Sequence, residues 1–89
     1  MDLDITVTAP DVAAALEAFE RGKGILTLYC PIAQAMVRLG KPARVWTTAI
    51  KLVDGTILEL GAVGQRIAAL HPSQWASIEV PVQVHLTQS

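Results

Sequence analysis

The chain has 89 residues, of which 52% are hydrophobic and 17% are charged, and its formal net charge is −1. This length predicts one compact domain over residues 1–89, and the composition excludes a disordered segment. No run of eighteen apolar residues occurs, and the first four residues are acidic rather than basic. We therefore expect no membrane span, no secretory signal and a cytoplasmic location.

Charged residues are segregated along the sequence. Residues 1–20 contain five acids and no base, and residues 21–53 contain six bases and no acid. Residues 54–89 contain three acids and one base. We expect the acidic start and the basic middle either to face each other in the fold or to mark two separate surfaces.

The first strand and the first helix have clear local signals. Residues 3–7 alternate apolar with polar side chains, which predicts a half-buried strand. The sequence Thr8-Ala9-Pro10-Asp11 predicts a helix start, with Thr8 as the cap and Asp11 completing a capping box. We expect this helix to run to about Arg21 and to end at Gly22 and Gly24. Its predicted buried stripe comprises Val12, Ala15, Leu16 and Phe19.

A second helix is predicted from Pro31 to Leu39, because proline favours the first helical position and Gly40 can end the helix. Cys30 lies near its cap. The segment 25–29 before it fits a strand or a helix equally well. The predicted buried stripe is Ile32, Ala35, Met36 and Leu39, with Gln34 and Arg38 facing away.

Residues 44–60 predict a hairpin around Asp54-Gly55. A two-residue loop would oppose Ile50 with Glu59 and split the apolar face. A three-residue loop, Val53-Asp54-Gly55, pairs Ile50 with Leu58 and keeps that face whole. We therefore predict the three-residue loop, with a bulge at a left-handed Gly55.

The last third of the chain predicts a helix, a turn and a strand. Residues 61–70 have apolar spacing typical of a helix, although Gly61 and Gly64 weaken its propensity, so packing must stabilise it. Pro72 ends it, and residues 73–75 form a turn or a single helical turn. Residues 78–86 alternate cleanly and predict a strand, which Pro81 assigns to a sheet edge.

These elements predict an α+β fold in the order β-α-α-β-β-α-β. Strands with one apolar face favour a two-layer arrangement, in which a mixed or antiparallel sheet packs against the helices.

The segment Cys30–Met36, preceded by an Ile-Thr-Val-Thr strand, resembles a group of small uncharacterised proteins of phages and prophages that share a Cys-Pro-hydrophobic-Ala-x-Ala-hydrophobic helix start. The chain departs from that group at residues 25–29, where a polar loop is expected. The resemblance implies a protein of a mobile element. It favours a small non-catalytic binder, including one that blocks a host enzyme or an immune system.

The basic segment, residues 38–51, is the best candidate for a binding surface. Its cations can contact phosphates, and Trp46 can stack on a nucleic-acid base. The slightly negative net charge argues against nucleic-acid binding, because domains that bind nucleic acids are usually strongly basic. A protein partner that is acidic, or one that binds nucleic acid, fits equally well. The cations concerned are Arg38, Lys41, Arg44 and Lys51.

Trp75 is the other aromatic candidate. It is either a lid over the core, which we favour, or an anchor in a partner interface. We include it among the candidate partner-binding residues beside Trp46 and the basic segment.

Cys30 at a helix start would gain a lowered thiol pKa, which suits a nucleophile or a redox sensor. We favour a buried packing role, since free cysteine is among the most buried residue types. His71 is expected to complement the end of the third helix, and His85 to lie on the polar face of the last strand. No spacing of these three residues indicates a metal site, and we predict neither a metal nor another cofactor.

The resulting hypothesis is a non-enzymatic protein-binding module, acting as a homodimer or as a phage-derived inhibitor of a host factor. A nucleic-acid binder that uses residues 38–51 is the first alternative. A thiol-dependent enzyme or sensor at Cys30 is the second.

Overall fold

Five strands form one antiparallel sheet in the computed structural model, which describes residues 2–22 and 29–88. The helices and strands of these residues are β1 (Asp2–Val7), α1 (Ala9–Glu20), α2 (Pro31–Arg38), β2 (Ala43–Val45), β3 (Ala49–Leu52), β4 (Ile57–Leu60), α3 (Ala62–Ala68), a 3₁₀ helix (Pro72–Ser77) and β5 (Val82–Thr87). The predicted α+β class is confirmed. The ambiguous residues 25–28 lie outside the described residues.

The order across the sheet is β1-β5-β4-β3-β2, and all neighbours run antiparallel. The last strand therefore pairs with β1 on one side and with β4 on the other, so its predicted edge position is wrong. The reason is that β5 begins at Val82, one residue after Pro81. The ladder does not need the N–H that proline lacks.

One face of the sheet is buried. Ile5 and Val7 in β1 are fully enclosed, and their partners in β5 lie on the same face. This alternation is the half-buried pattern that residues 3–7 predict. The other strands contribute Ala43, Val45, Ile50, Leu58, Leu60, Val84 and Leu86 to the same core cluster.

The hairpin between β3 and β4 forms with the predicted loop. Ile50 is the partner of Leu58, and the Leu52 N–H donates to the Thr56 carbonyl oxygen at 2.8 Å. Gly55 has φ of +94°, a conformation that L side chains rarely adopt. The three-residue loop and its register are confirmed.

A second turn joins β2 to β3 near the start of the predicted hairpin, residues 44–60. The Trp46 N–H donates to the Ala49 carbonyl oxygen at 2.8 Å, and Val45 is the partner of Ile50. The described residues therefore have three strands between α2 and α3, where the sequence predicts two. Thr47 and Thr48 form the turn without glycine, proline or asparagine, which explains why it is missed.

Helix α2 begins and ends as expected. Cys30 is its N-cap, and Pro31 is its first residue. At its end, Gly40 with φ of +76° donates to the Val37 carbonyl, and the Lys41 N–H donates to the Met36 carbonyl at 2.9 Å. These two bonds are a Schellman motif.

Two residues of the predicted stripes lie outside the core. Leu39 is 44% exposed because it is the C-cap residue, beyond the last full turn of α2. Ala33 is buried instead. Phe19 is also exposed, although its ring makes an edge-to-face contact with Trp75 at 6.3 Å between centroids.

Helix α3 packs closely on the sheet at Gly64. A Cβ atom added there would lie 2.7 Å from Val84 Cγ1 and 2.9 Å from Leu60 Cδ2. The glycine that weakens this helix on propensity therefore allows the helix to approach strands β4 and β5.

Candidate functional site

Arg38 joins three elements at the end of α2. Its Nε donates to Asp11 Oδ1 at 3.0 Å, and its Nη2 donates to Asp11 Oδ2 at 3.1 Å. The same Nη2 donates to the Thr6 carbonyl oxygen at 2.7 Å. The acidic start and the basic middle of the chain thus meet inside one molecule at this pair. The guanidinium predicted to face away is held between α1 and β1.

Asp11 is a buried carboxylate, 3% exposed, at the start of α1. It also accepts hydrogen bonds from the Thr8 N–H at 2.8 Å and the Thr8 hydroxyl at 2.9 Å. Burial alone would raise the pKa of Asp11, but the hydrogen bonds from Arg38 and Thr8 outweigh it and lower the pKa below 3.8. The carboxylate is ionised and accepts four hydrogen bonds from Thr8 and Arg38. It therefore stabilises the fold and is not free to bind a partner.

Arg44 and Lys51 face each other across β2 and β3. They are Cα partners in the antiparallel register, and both side chains are exposed. Like charges directly opposite on one face of a sheet destabilise it. None of the ion pairs among the described residues includes Arg44, Lys51 or Lys41. Arg44 and Lys51 are available to an external anion. Lys41 has Asp54 nearby, whose pKa is lowered by hydrogen bonds from Thr56 and, less strongly, by the charge of Lys41.

An open groove of about 470 Å³ runs beside these cations. We call it the β2 groove and define it by Val37, Pro42, Arg44, Trp46, Lys51 and Val53. Its apolar members are unusually exposed, with Val53 at 84% and Trp46 at 43%. Lys41 lies at one end, where it lines a depression with Pro42, Val53 and Asp54.

Ile57 extends this apolar surface onto the next strand. It is the partner of Lys51 in β4, and its side chain is exposed. Exposed aliphatic side chains grouped with a tryptophan and an arginine are typical of a protein-contact surface.

Four of the six predicted contact residues come together. Arg44, Trp46 and Lys51 line the β2 groove, and Lys41 adjoins it. Arg38 is engaged by Asp11 instead. Trp75 is 1% exposed and belongs to the core, which agrees with the favoured interpretation as a lid.

The sequence reasoning missed Val37, Val53 and Ile57. A signal for one of them was present, because Leu58 and Leu60 point inward and period-2 alternation then points Ile57 outward. Val53 was assigned only to the hairpin loop, where its exposure follows from the turn.

Cys30 is a buried packing residue, as the favoured interpretation predicts. Burial raises the pKa of its thiol, and the N–H groups of Ala33 and Ile32 lower it by less. The lowered pKa that a nucleophile or a sensor would need is absent at this cysteine, since desolvation outweighs the helix N-terminus.

The two histidines have structural partners. His71 does not complement the end of α3, which stops at Ala68. It caps the 3₁₀ helix instead, with Nδ1 accepting from the Ser73 N–H at 3.2 Å. His85 Nδ1 lies 2.6 Å from Asp4 Oδ1 across β5 and β1. The hydrogen bond with Asp4 raises the pKa of His85 above 6.5.

The described part of the chain contains no group of three or more His, Cys, Asp or Glu side chains that could hold a metal ion. None of its helices combines the length and the apolar character that a membrane span requires. No protein-family model, curated protein or solved structure matches the chain. We therefore infer the function from the geometry of the β2 groove.

Proposed function

We propose that this chain is a non-enzymatic protein-binding module and that its contact surface is the β2 groove together with Ile57. The observation that supports the proposal is the exposure of aliphatic and aromatic side chains around Arg44 and Lys51. Such a surface suits a partner with its own apolar side chains and a negative charge, because association buries the apolar carbon and pairs the cations.

The surroundings of the cations favour a protein over a nucleic acid. Phosphate binding gains affinity with each cation that reaches the backbone, and Arg38 is already bonded to Asp11. Three cations remain at this surface. Val37, Val53 and Ile57 neither stack on bases nor pair with phosphates, whereas they pack well on the side chains of a protein.

The biological setting we propose follows from the Cys30–Met36 helix start. Its resemblance to small phage and prophage proteins supports an origin in a mobile element and action in the cytoplasm of the host cell. The partner is then a host enzyme or a component of a host defence system with an acidic surface, and the chain is its inhibitor, in the manner of anti-CRISPR proteins.

The test compares capture by matched surface variants. The immobilised chain is incubated with a lysate of the cell that encodes it, and retained proteins are identified by mass spectrometry. Val53→Asp places an acid at an exposed position of the groove and should abolish retention of the partner. Ala13→Asp adds the same charge at an exposed position on α1 and should retain it.

Light scattering of the purified chain tests the homodimer. If the partner is a second copy, wild type is a dimer and Val53→Asp is a monomer. Equal retention by wild type and Val53→Asp would contradict the proposal. A monomeric wild type that retains nothing would contradict it as well.

Nucleic-acid binding through Lys41, Arg44 and Lys51 is the second candidate, because Trp46 lies beside these cations with its ring partly exposed. It predicts an affinity for single-stranded DNA or RNA that falls steeply as salt increases. A titration at low salt that shows no binding would eliminate this candidate.

A further inference from the structure

Arg44 and Lys51 form a pair that is arranged for one anion. Opposed residues in antiparallel strands hold their Cβ atoms about 4.5–5.5 Å apart, so both charged ends can reach the same group. Within the described residues, the recorded ion pairs leave both cations without a carboxylate. An anion between them would replace their mutual repulsion by two attractions.

Most side chains around this pair are apolar, although the exposed Glu59 lies on the same face of β4, two residues beyond Ile57. Ile57 is opposite Lys51 on one side, and Trp46 follows Arg44 by two residues along the chain. Val53 follows Lys51 in the same way and also lines the groove. A ligand that covers these side chains excludes water from the cations, which strengthens the ion pairs.

A protein carboxylate fits this arrangement better than free phosphate. The planar guanidinium of Arg44 can donate two parallel hydrogen bonds to a carboxylate or to a phosphate, so the apolar surface beside it decides between the two. The groove beside it is lined by Val37, Pro42 and Val53 and has room for an aliphatic side chain. Phosphate alone would leave that apolar surface in water.

The partner segment does not join the sheet as an extra strand. Ala43 and Val45, which flank Arg44 in the outermost strand of the described sheet, are 8% and 4% exposed. So little exposed surface at these two residues disfavours the backbone hydrogen bonds that strand addition needs. Recognition is by side chains.

We propose that the β2 groove binds an acidic segment of a partner protein, with a carboxylate between Arg44 and Lys51 and a neighbouring aliphatic side chain against Val37 and Val53. This inference depends on the proposed function and specifies the chemistry of the partner.

The probe is a capped synthetic peptide of alternating glutamate and leucine, titrated into the full chain and followed by two-dimensional NMR. We expect a Kd at or below about 1 mM. The shifted resonances should be the amides of Arg44, Lys51 and Val53 and the indole of Trp46. A peptide with lysine in place of glutamate should cause no shifts.

Charge reversal provides the matched variants. The affinity of the double variant Arg44→Glu with Lys51→Glu for the glutamate peptide should fall by about tenfold or more, and this variant should bind the lysine peptide. Arg66→Glu reverses an exposed cation on α3, away from the groove, and should bind the glutamate peptide like wild type.

Three results would overturn the inference: no shift with the glutamate peptide, equal shifts with the lysine peptide, or equal binding of inorganic phosphate or a thymidine oligonucleotide. Capture that still depends on Val53, combined with no binding of the glutamate peptide, would overturn this inference alone. Capture that does not depend on Val53 would overturn the proposed function itself.

Discussion

Asp11 accepts hydrogen bonds from Thr8 and from Arg38, so one buried carboxylate stabilises both the start of α1 and its contact with α2. Asp11→Asn keeps the shape but removes the charge. We expect it to lower the free energy of unfolding by about 1–3 kcal/mol at neutral pH, because hydrogen bonds to charged groups are the stronger ones. Urea denaturation measures this difference.

The same pair predicts a pH dependence at the residue scale. The pKa of Asp11 in the folded state is lower than its usual value of 3.8. The contribution of the ionised carboxylate to stability is therefore complete above pH 3.8 and is lost as the pH falls through the folded-state pKa. The difference in free energy of unfolding between wild type and Asp11→Asn should therefore disappear at acidic pH. Glu17→Gln is the control, since its pair with Arg21 is exposed and contributes about 0.5 kcal/mol or less. An equal loss in both variants would contradict this role of Asp11.

At the scale of elements, Gly64 decides how closely α3 approaches the sheet. Gly64→Ala would gain about 1 kcal/mol in helix propensity. The new Cβ would, however, lie 2.7 Å from Val84 Cγ1, and overpacking of this kind costs about 1–3 kcal/mol. We expect a net loss of stability, measured by thermal unfolding.

Val84→Ala supplies the control for that prediction. If the clash with Val84 is the cause, the double variant should lose less stability than the sum of the two single variants, because the smaller side chain accepts the new methyl group. Strictly additive losses would assign the clash to Leu60 Cδ2, 2.9 Å from the new Cβ, and a stabilised Gly64→Ala would contradict the close packing of α3.

The elements themselves followed largely from local chemistry. The alternation of residues 3–7, the Thr8 cap, the start at Pro31 and the loop at Gly55 each depend on neighbouring residues, and each is confirmed. The interior position of β5 depends on pairing between strands that are distant in the sequence. No local signal carries that information, and Pro81 pointed to the opposite conclusion.

At the scale of the whole molecule, one cation of the basic segment pairs with the acidic start of the chain, and two others lie on the surface. Arg38 is 27 residues from Asp11 and neutralises part of the acidic start, which sequence spacing alone did not reveal. Arg44 and Lys51 remain outward. Arg44 and Lys51 are opposite each other because of the turn at Thr47 and Thr48, which the sequence does not predict. Both residues could therefore be predicted as contact residues, but their pairing could not.

We propose that Arg38 stabilises the fold whereas Arg44 and Lys51 bind a partner, and Lys51→Glu tests this division most directly. A carboxylate at this position would lie opposite Arg44 and would turn a repulsion into an attraction. The measurement is the urea midpoint of Lys51→Glu, with Lys51→Gln as the neutral control, alongside titration of the glutamate peptide. We predict a midpoint above that of wild type together with lost peptide binding. A midpoint below that of wild type, or unchanged binding, would contradict the account.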